Sequence, residues 1–120
     1  MKILIVDDSK AMRMIVTRTV RQAGFGDAEL LEAEDGADAL AKVALFEPDL
    51  VLSDWNMPNM TGIECLQALR ASGSAVPFGF VTSEGSPEMR EKAADAGALF
   101  LIAKPFTEDI FKEHLDGVIA

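Results

Sequence analysis

The sequence has a single cysteine, Cys65, and its N-terminal apolar stretch is short. One cysteine excludes an intrachain disulfide and favours a reducing compartment. The apolar residues 3–6 end at Asp7 and Asp8, so the stretch is too short for a signal peptide or a membrane span. We therefore expect a cytoplasmic protein.

Basic residues are also scarce: 11 Lys and Arg stand against 20 Asp and Glu, a formal net charge of −9. Nucleic-acid binding needs a basic face, so this balance argues against a nucleic-acid partner. It equally disfavours an anionic membrane surface. The 120 residues are expected to form one domain, residues 1–120, long enough to bury a hydrophobic core.

Short apolar runs alternate with helical patterns five times along the chain. The runs that predict strands are residues 3–6, 29–33, 50–53, 78–81 and 99–103. In the intervening helices, apolar residues recur every three or four positions, including Ile15 and Val16 in the first and Val43 and Ala44 in the second. Strict alternation predicts a parallel α/β sheet with helices on both faces and right-handed crossovers.

Helix boundaries are marked by capping residues. Thr61 with Glu64 matches a capping box, and Ser86 before Pro87 predicts another helix start. Gly24 and Gly97 are expected to end their helices. Two helices are thus predicted to begin shortly after the third and fourth strands.

Four predicted strands change from apolar to polar residues at their carboxyl ends. These ends carry Asp7-Asp8, Asp54, Thr82-Ser83 and Lys104-Pro105. In a parallel sheet all of them lie at one edge, which is where ligands bind in such folds. The sequence therefore predicts a functional site at this edge.

The charges at this edge restrict its chemistry. Three neighbouring carboxylates raise one another's pKa, and a divalent cation removes that conflict. Oxygen donors suit Mg²⁺, which binds readily beside phosphate. Lys104 and Thr82 are suited to contact phosphoryl oxygens, and Asp54 is suited to be the carboxylate nucleophile that becomes an aspartyl phosphate.

These positions, with the stretches 54–62 and 104–107, resemble the receiver domain of two-component response regulators over the whole chain. In particular they resemble the single-domain chemotaxis response regulator. The resemblance implies a flavodoxin-like, doubly wound (βα)5 sheet with strand order 2-1-3-4-5. It also implies phosphorylation of Asp54 by a phosphohistidine on a sensor histidine kinase.

The resemblance further implies roles for individual residues. Mg²⁺ is expected to bind Asp8, Asp54 and the backbone carbonyl of Asn56 directly, and Asp7 through water. The Thr82 hydroxyl and Lys104 are expected to contact the phosphoryl group, and the Lys104–Pro105 peptide is expected to be cis. Such a domain catalyses its own phosphorylation and dephosphorylation without being a turnover enzyme.

Two nearby positions carry separate expectations. Leu101 occupies the place, three residues before Lys104, where the family usually has Tyr or Phe that turns inward on activation. Phe100 is not a substitute, because strand alternation directs it to the opposite face. Trp55, in the loop after Asp54, is expected to be exposed and to contact a partner.

Three functions compete for this sequence. The favoured one is a monomeric signalling switch that controls a partner protein, for which the chemotaxis resemblance suggests a flagellar motor switch, or that acts as a phosphate shuttle or sink. An Asp-nucleophile phosphohydrolase would carry its acids two residues apart after the first strand, whereas Asp7 and Asp8 are adjacent. A flavin-binding module would need a phosphate-binding loop there, where these two acids repel phosphate.

Overall fold

The computed structural model describes the backbone of residues 1–119 and the side chains of residues 1–118. Ala120, the last residue of the predicted domain, lies outside the described residues. The strands are β1 (Lys2–Val6), β2 (Glu29–Ala33), β3 (Leu50–Ser53), β4 (Phe78–Thr82) and β5 (Phe100–Ala103). The helices are α1 (Lys10–Val20), α2 (Gly36–Phe46), α3 (Gly62–Ala71), α4 (Pro87–Ala96) and α5 (Glu108–Ile119).

The five strands form one parallel sheet in the order β2-β1-β3-β4-β5. This confirms the predicted α/β class and the strand order that the resemblance implied. Parallel neighbours need crossover connections, and each crossover here contains a helix. Within residues 1–119, no helix has both the length and the apolar character needed to span a lipid bilayer.

The sheet is covered on both faces, because strand residues alternate between two hydrophobic clusters. Leu4 and Val51 pack with residues of α2, α3 and α4, including the fully buried Cys65. Ile5 and Leu52 pack on the other side with residues of α1 and α5. The central strands are therefore buried on both faces, as their continuous apolar runs predicted.

The predicted helix faces and strand limits were wrong at a few positions. Ile15 and Ala44 are exposed, because the core-facing stripes are narrower than the apolar patterns on α1 and α2. Leu99 is also exposed and precedes β5, whereas Thr82 extends β4 by one residue. Arg21–Phe25 forms a widened helical turn after α1, and it contains Gly24 at a φ of 108°, which ends the helix as expected.

The predicted capping residues fix where α3 and α4 begin. The hydroxyl of Thr61 accepts from the N–H of Glu64 at 3.3 Å, and the N–H of Thr61 donates back to Glu64 Oε1 at 3.0 Å. Ser86 Oγ accepts from Met89 N–H at 3.2 Å. Both helices therefore begin soon after β3 and β4 end, beside the edge that carries the predicted site.

Candidate functional site

Sheet register places Asp7 and Asp54 side by side at the edge where the strands end, the carboxyl edge. Val6 pairs with both Ala33 and Ser53. The N–H of Asp54 donates to the carbonyl of Val6 at 2.9 Å, and the N–H of Asp7 donates to the carbonyl of Ala33 at 3.1 Å. The backbone positions of both acids are therefore set by the sheet.

Asp7, Asp8 and Asp54 form an acidic cluster in which one carboxylate oxygen of each lies within 4.8 Å of the others. The side chain of Asp7 is only 5% exposed, whereas Asp8 is open to solvent. Lys104 Nζ lies 3.6 Å from Asp7 Oδ2 and 3.6 Å from Asp54 Oδ2. The Lys104 ammonium group thus pairs with two of the three carboxylates.

The acidic cluster disfavours ionisation of its most buried member. Burial is the largest cause that raises the pKa of the Asp7 carboxyl, and the charges of Asp54 and Asp8 raise it further. The Ser9 N–H, at 2.9 Å from Asp7 Oδ1, and the Lys104 ammonium lower this pKa without outweighing burial. A site with this excess of negative charge and only oxygen donors fits a hard divalent cation such as Mg²⁺.

Asp54 is held by its own loop as well as by the sheet. Its Oδ1 accepts from the N–H of Trp55 at 2.7 Å, and its carbonyl accepts from Ser53 Oγ at 2.8 Å. A Cβ at Gly62 would lie 2.1 Å from that carbonyl oxygen, so only glycine lets α3 begin so close to β3. The carboxylate is consequently positioned on a constrained main chain.

Thr82 and Lys104 complete the edge from β4 and β5. Thr82 is fully buried, and its hydroxyl accepts from the N–H of Glu84 at 3.4 Å. The N–H of Lys104 donates to the carbonyl of Thr82 at 2.7 Å, and the Lys104–Pro105 peptide is cis, as the resemblance implied. Asn56 is exposed in the loop after Asp54. The roles assigned to these residues stay predictions.

The expectation that Trp55 is exposed was wrong. The residue is only 9% exposed, and its ring centroid lies 4.8 Å from that of Phe80. The loop turns back at this point, because the Trp55 carbonyl accepts from the N–H of Gly62 at 2.8 Å. The indole therefore covers the core below the acidic cluster and is not a protruding contact for a partner.

The loop between β4 and α4 is connected to β5 by Arg90. Its Nε donates to the carbonyl of Gly85 at 3.2 Å and its Nη1 to the carbonyl of Leu101 at 3.0 Å. Leu101 is buried on the α4 side of the sheet. Phe100 packs on the opposite side, with its ring centroid 5.3 Å from that of His114, which confirms the predicted alternation.

Arg13 contributes to the site although sequence reasoning missed it. The residue is buried, and its Nη1 donates to the carbonyl of Asp7 at 2.7 Å. A signal was present, because Arg13 lies three and seven positions before the buried Val16 and Val20. A cation on the apolar stripe of α1 indicated a buried anion or carbonyl nearby.

The fold and the site place the chain among flavodoxin-like α/β proteins that have an acidic cluster and a lysine at the carboxyl edge of the sheet. A family model described as response regulator receiver domain matches residues 3–116. The chain belongs to this family.

Individual relatives match nearly the whole chain. Chemotaxis protein CheY-3 of Vibrio cholerae is 42% identical over 120 residues, covering 98% of this chain and 91% of the relative. Chemotaxis protein CheY of Pseudomonas aeruginosa is 40% identical, covering 98% and 95%. The solved structure of Vibrio cholerae chemotaxis protein CheY4 superposes with a TM-score of 0.86 at 37% identity and covers 98% of each chain.

Proposed function

We propose that this chain is a single-domain response regulator that accepts a phosphoryl group on Asp54 from the phosphohistidine of a sensor histidine kinase. The observation that carries the proposal is the acidic cluster with Lys104 Nζ 3.6 Å from Asp54 Oδ2, in a chain of the receiver family. An isolated buried acid would have no cationic partner to stabilise an added phosphoryl group.

The transfer forms one bond and breaks one bond. A carboxylate oxygen of Asp54 attacks phosphorus, the P–N bond to the donor imidazole breaks, and the imidazole leaves with its electron pair and takes a proton. Lys104 contacts one phosphoryl oxygen, and the Thr82 hydroxyl gives up its contact with Glu84 N–H and turns to donate to another. Water later hydrolyses the acyl phosphate, so the chain returns to its starting state without turning over a free substrate.

Mg²⁺ is the cation that the donor set fits best. Asp7, Asp8, Asp54 and the backbone carbonyl of Asn56 would hold it, and it would supply positive charge to the phosphoryl oxygens. Burial first, and then the charges of Asp54 and Asp8, raise the pKa of the Asp7 carboxyl, and a bound cation would favour its ionised form.

The output is assigned to the surface of α4, β5 and α5. The relatives that carry the name chemotaxis protein favour control of a partner in chemotaxis, with a flagellar motor switch protein as the candidate. We expect the protein to act as a cytoplasmic monomer.

Switching is assigned to the loop between β4 and α4. A phosphoryl group on Asp54 draws the Thr82 hydroxyl toward it and pulls residues 83–85 along. Arg90, which ties Gly85 to Leu101, then loses one of its two acceptors and carries the change to β5 and the start of α4. Buried Leu101 has no polar tip to move between solvent and core, so an aromatic rotamer change is not part of this switch.

A phosphate shuttle or sink is the second candidate, and Leu101 is the observation that favours it. A chain without the family's usual aromatic at this position has less to change on its output surface when it is phosphorylated. If the phosphorylated protein does not control a partner but exchanges phosphoryl groups rapidly between two kinases, a shuttle or sink is favoured over a switch.

Labelling with a small phosphodonor tests the proposed function. The wild type, incubated with a phosphoramidate or acyl phosphate and Mg²⁺, should acquire one acid-stable, base-labile phosphate. Chelation of divalent cations should abolish the labelling, and Asp54→Asn should not be labelled. Efficient labelling of Asp54→Asn, or labelling that is indifferent to the chelator, would overturn the assignment.

A further inference from the structure

Arg13 is a buried cation behind the acidic cluster, and the proposed phosphoryl transfer does not use it. It lies in the first turns of α1, where its N–H donates to the carbonyl of the N-cap Ser9 at 3.0 Å. Its side chain is 10% exposed. Burial of a guanidinium group is unfavourable unless its donors are paired, so its contacts indicate what it does.

The guanidinium group bridges the ends of two strands. Nη1 donates to the carbonyl of Asp7 at 2.7 Å, and Nε donates to Glu32 Oε1 on β2 at 2.9 Å. Glu32 is 52% exposed and is not one of the three acids of the cluster, so its contact with Nε serves to fix the direction of the guanidinium group. A planar fork suits this bridge, because it presents donors in two fixed directions at once.

The bridge completes the restraint on the turn that carries Asp7 and Asp8. The Asp7 N–H donates a hydrogen bond to the carbonyl of Ala33. The Asp7 carboxylate accepts one from the Ser9 N–H, and the Asp7 carbonyl accepts one from Arg13 Nη1. The carbonyl of Asp7 belongs to the peptide that leads into Asp8. The orientation of that peptide determines where the exposed Asp8 carboxylate points, because rotation about it swings the whole side chain.

We propose that Arg13 is a positioning residue of the cation site, which holds the Asp7–Asp8 peptide so that the Asp8 carboxylate meets those of Asp7 and Asp54. The inference rests on the proposed function, since it assigns the acidic cluster to a divalent cation. Groups that orient metal ligands from behind typically change metal affinity by about 10- to 100-fold when they are removed.

A purely electrostatic role for Arg13 predicts a change in Mg²⁺ affinity of the opposite sign. A guanidinium charge close to the cluster repels a divalent cation, so its loss alone would tighten Mg²⁺ binding. Loss of a positioning contact weakens binding, because the Asp8 carboxylate is then free to take other directions. The sign of the change in Mg²⁺ affinity therefore separates the two roles.

The test is calorimetric titration of Mg²⁺ into the full chain, with urea denaturation of each variant as a check on folding. Arg13→Met should raise the Mg²⁺ dissociation constant by about tenfold or more, and Glu32→Gln should raise it by a smaller factor. Arg13→Lys keeps the charge without the fork and should restore only part of the affinity. Arg18→Met is the matched control, because it removes the same charge from the exposed side of α1 and should stay within about twofold of the wild type.

The outcomes identify which claim fails. A wild type without Mg²⁺ affinity would overturn the proposed cation site itself. Wild-type binding with unchanged or tighter binding in Arg13→Met would overturn the positioning role and leave the proposed function intact. If Arg13→Met does not fold, Arg13→Lys and Glu32→Gln decide, and wild-type affinity in both would refute the proposal.

Discussion

Replacing Asp7 by asparagine is expected to stabilise the fold and, at the same time, to weaken cation binding. Asp7→Asn keeps an oxygen that accepts from the Ser9 N–H, so this hydrogen bond is retained. It removes the most buried charge of the acidic cluster. The variant therefore isolates the cost of that charge from the geometry of the turn.

The size of the effect follows from the distances. At the cluster limit of 4.8 Å, each carboxylate pair repels by at least about 1 kcal/mol at the dielectric constant of water and about 3.5 kcal/mol at an effective value of about 20. Lys104, at 3.6 Å, offsets this by about 1 to 4.5 kcal/mol on the same scale. With two acidic neighbours and one cationic neighbour, these charge–charge interactions alone cost roughly 0.5 to 2.5 kcal/mol. Burial, the largest cause of the raised pKa of Asp7, adds to this cost.

The stabilisation should depend on pH. The folded-state pKa of Asp7 lies above its usual value of 3.8, so the folded chain holds this proton more tightly than the unfolded chain. Wild-type stability then falls as the pH rises from 3.8 through the raised pKa, and the fall is complete above it. The advantage of Asp7→Asn should grow across this window and be constant at higher pH.

Urea denaturation in the presence of a chelator measures the free energy of unfolding of both proteins. Asp7→Asn should be the more stable at neutral pH, which corresponds to a rise in Tm of roughly 4 °C per kcal/mol. Excess Mg²⁺ should stabilise the wild type by mass action and the variant much less. A variant that is less stable than the wild type without divalent cations, or an advantage that ignores pH, would refute the reasoning.

Three further predictions concern the surroundings of the site. Mg²⁺ should change the emission of Trp55, because its backbone N–H donates to the Asp54 carboxylate that the cation would contact. Asp8→Ala should weaken the Mg²⁺ affinity seen in this response about tenfold, and emission indifferent to roughly tens of millimolar Mg²⁺ would contradict the site. Gly62→Ala should lower the free energy of unfolding by about 2 kcal/mol or more, because the new Cβ would lie 2.1 Å from the Asp54 carbonyl oxygen. Gly117→Ala on α5 is the control, because a Cβ there meets open space and should be neutral or mildly stabilising. Equal effects of the two substitutions would argue against the close approach at Gly62. Beryllofluoride should shift the backbone NMR signals of residues 83–89, and a segment that stays unmoved would exclude the loop as the switch.

The carboxyl edge was predictable because four of the five strands each carry their own sequence signal. An apolar run that ends in Asp54 or Lys104 indicates both a buried strand and its polar end. Parallel pairing then places these ends at one edge of the sheet, independently of the loop conformations. Strand order was less accessible from the pattern itself, because alternation allows more than one doubly wound arrangement. It came from the resemblance.

The path of the loops and the direction of their side chains could not be predicted from the sequence pattern. Trp55 follows the last strand residue closely, and its burial depends on the return of the loop to Gly62 and on the ring of Phe80, which is distant in sequence. Arg13 likewise acquires its role only when β1 and β2 bring Asp7 and Glu32 to its two donors. Local pattern marks such residues as unusual without identifying their partners.

Locating the phosphoryl group within the chain tests the central claim most directly. Borohydride reduction of the phosphorylated protein converts an aspartyl phosphate into homoserine, and peptide mass spectrometry then identifies the modified position. The account predicts homoserine at position 54 alone, with formation that requires Mg²⁺. Reduction products at Asp7 or Asp8, or a phosphate that resists borohydride, would contradict it.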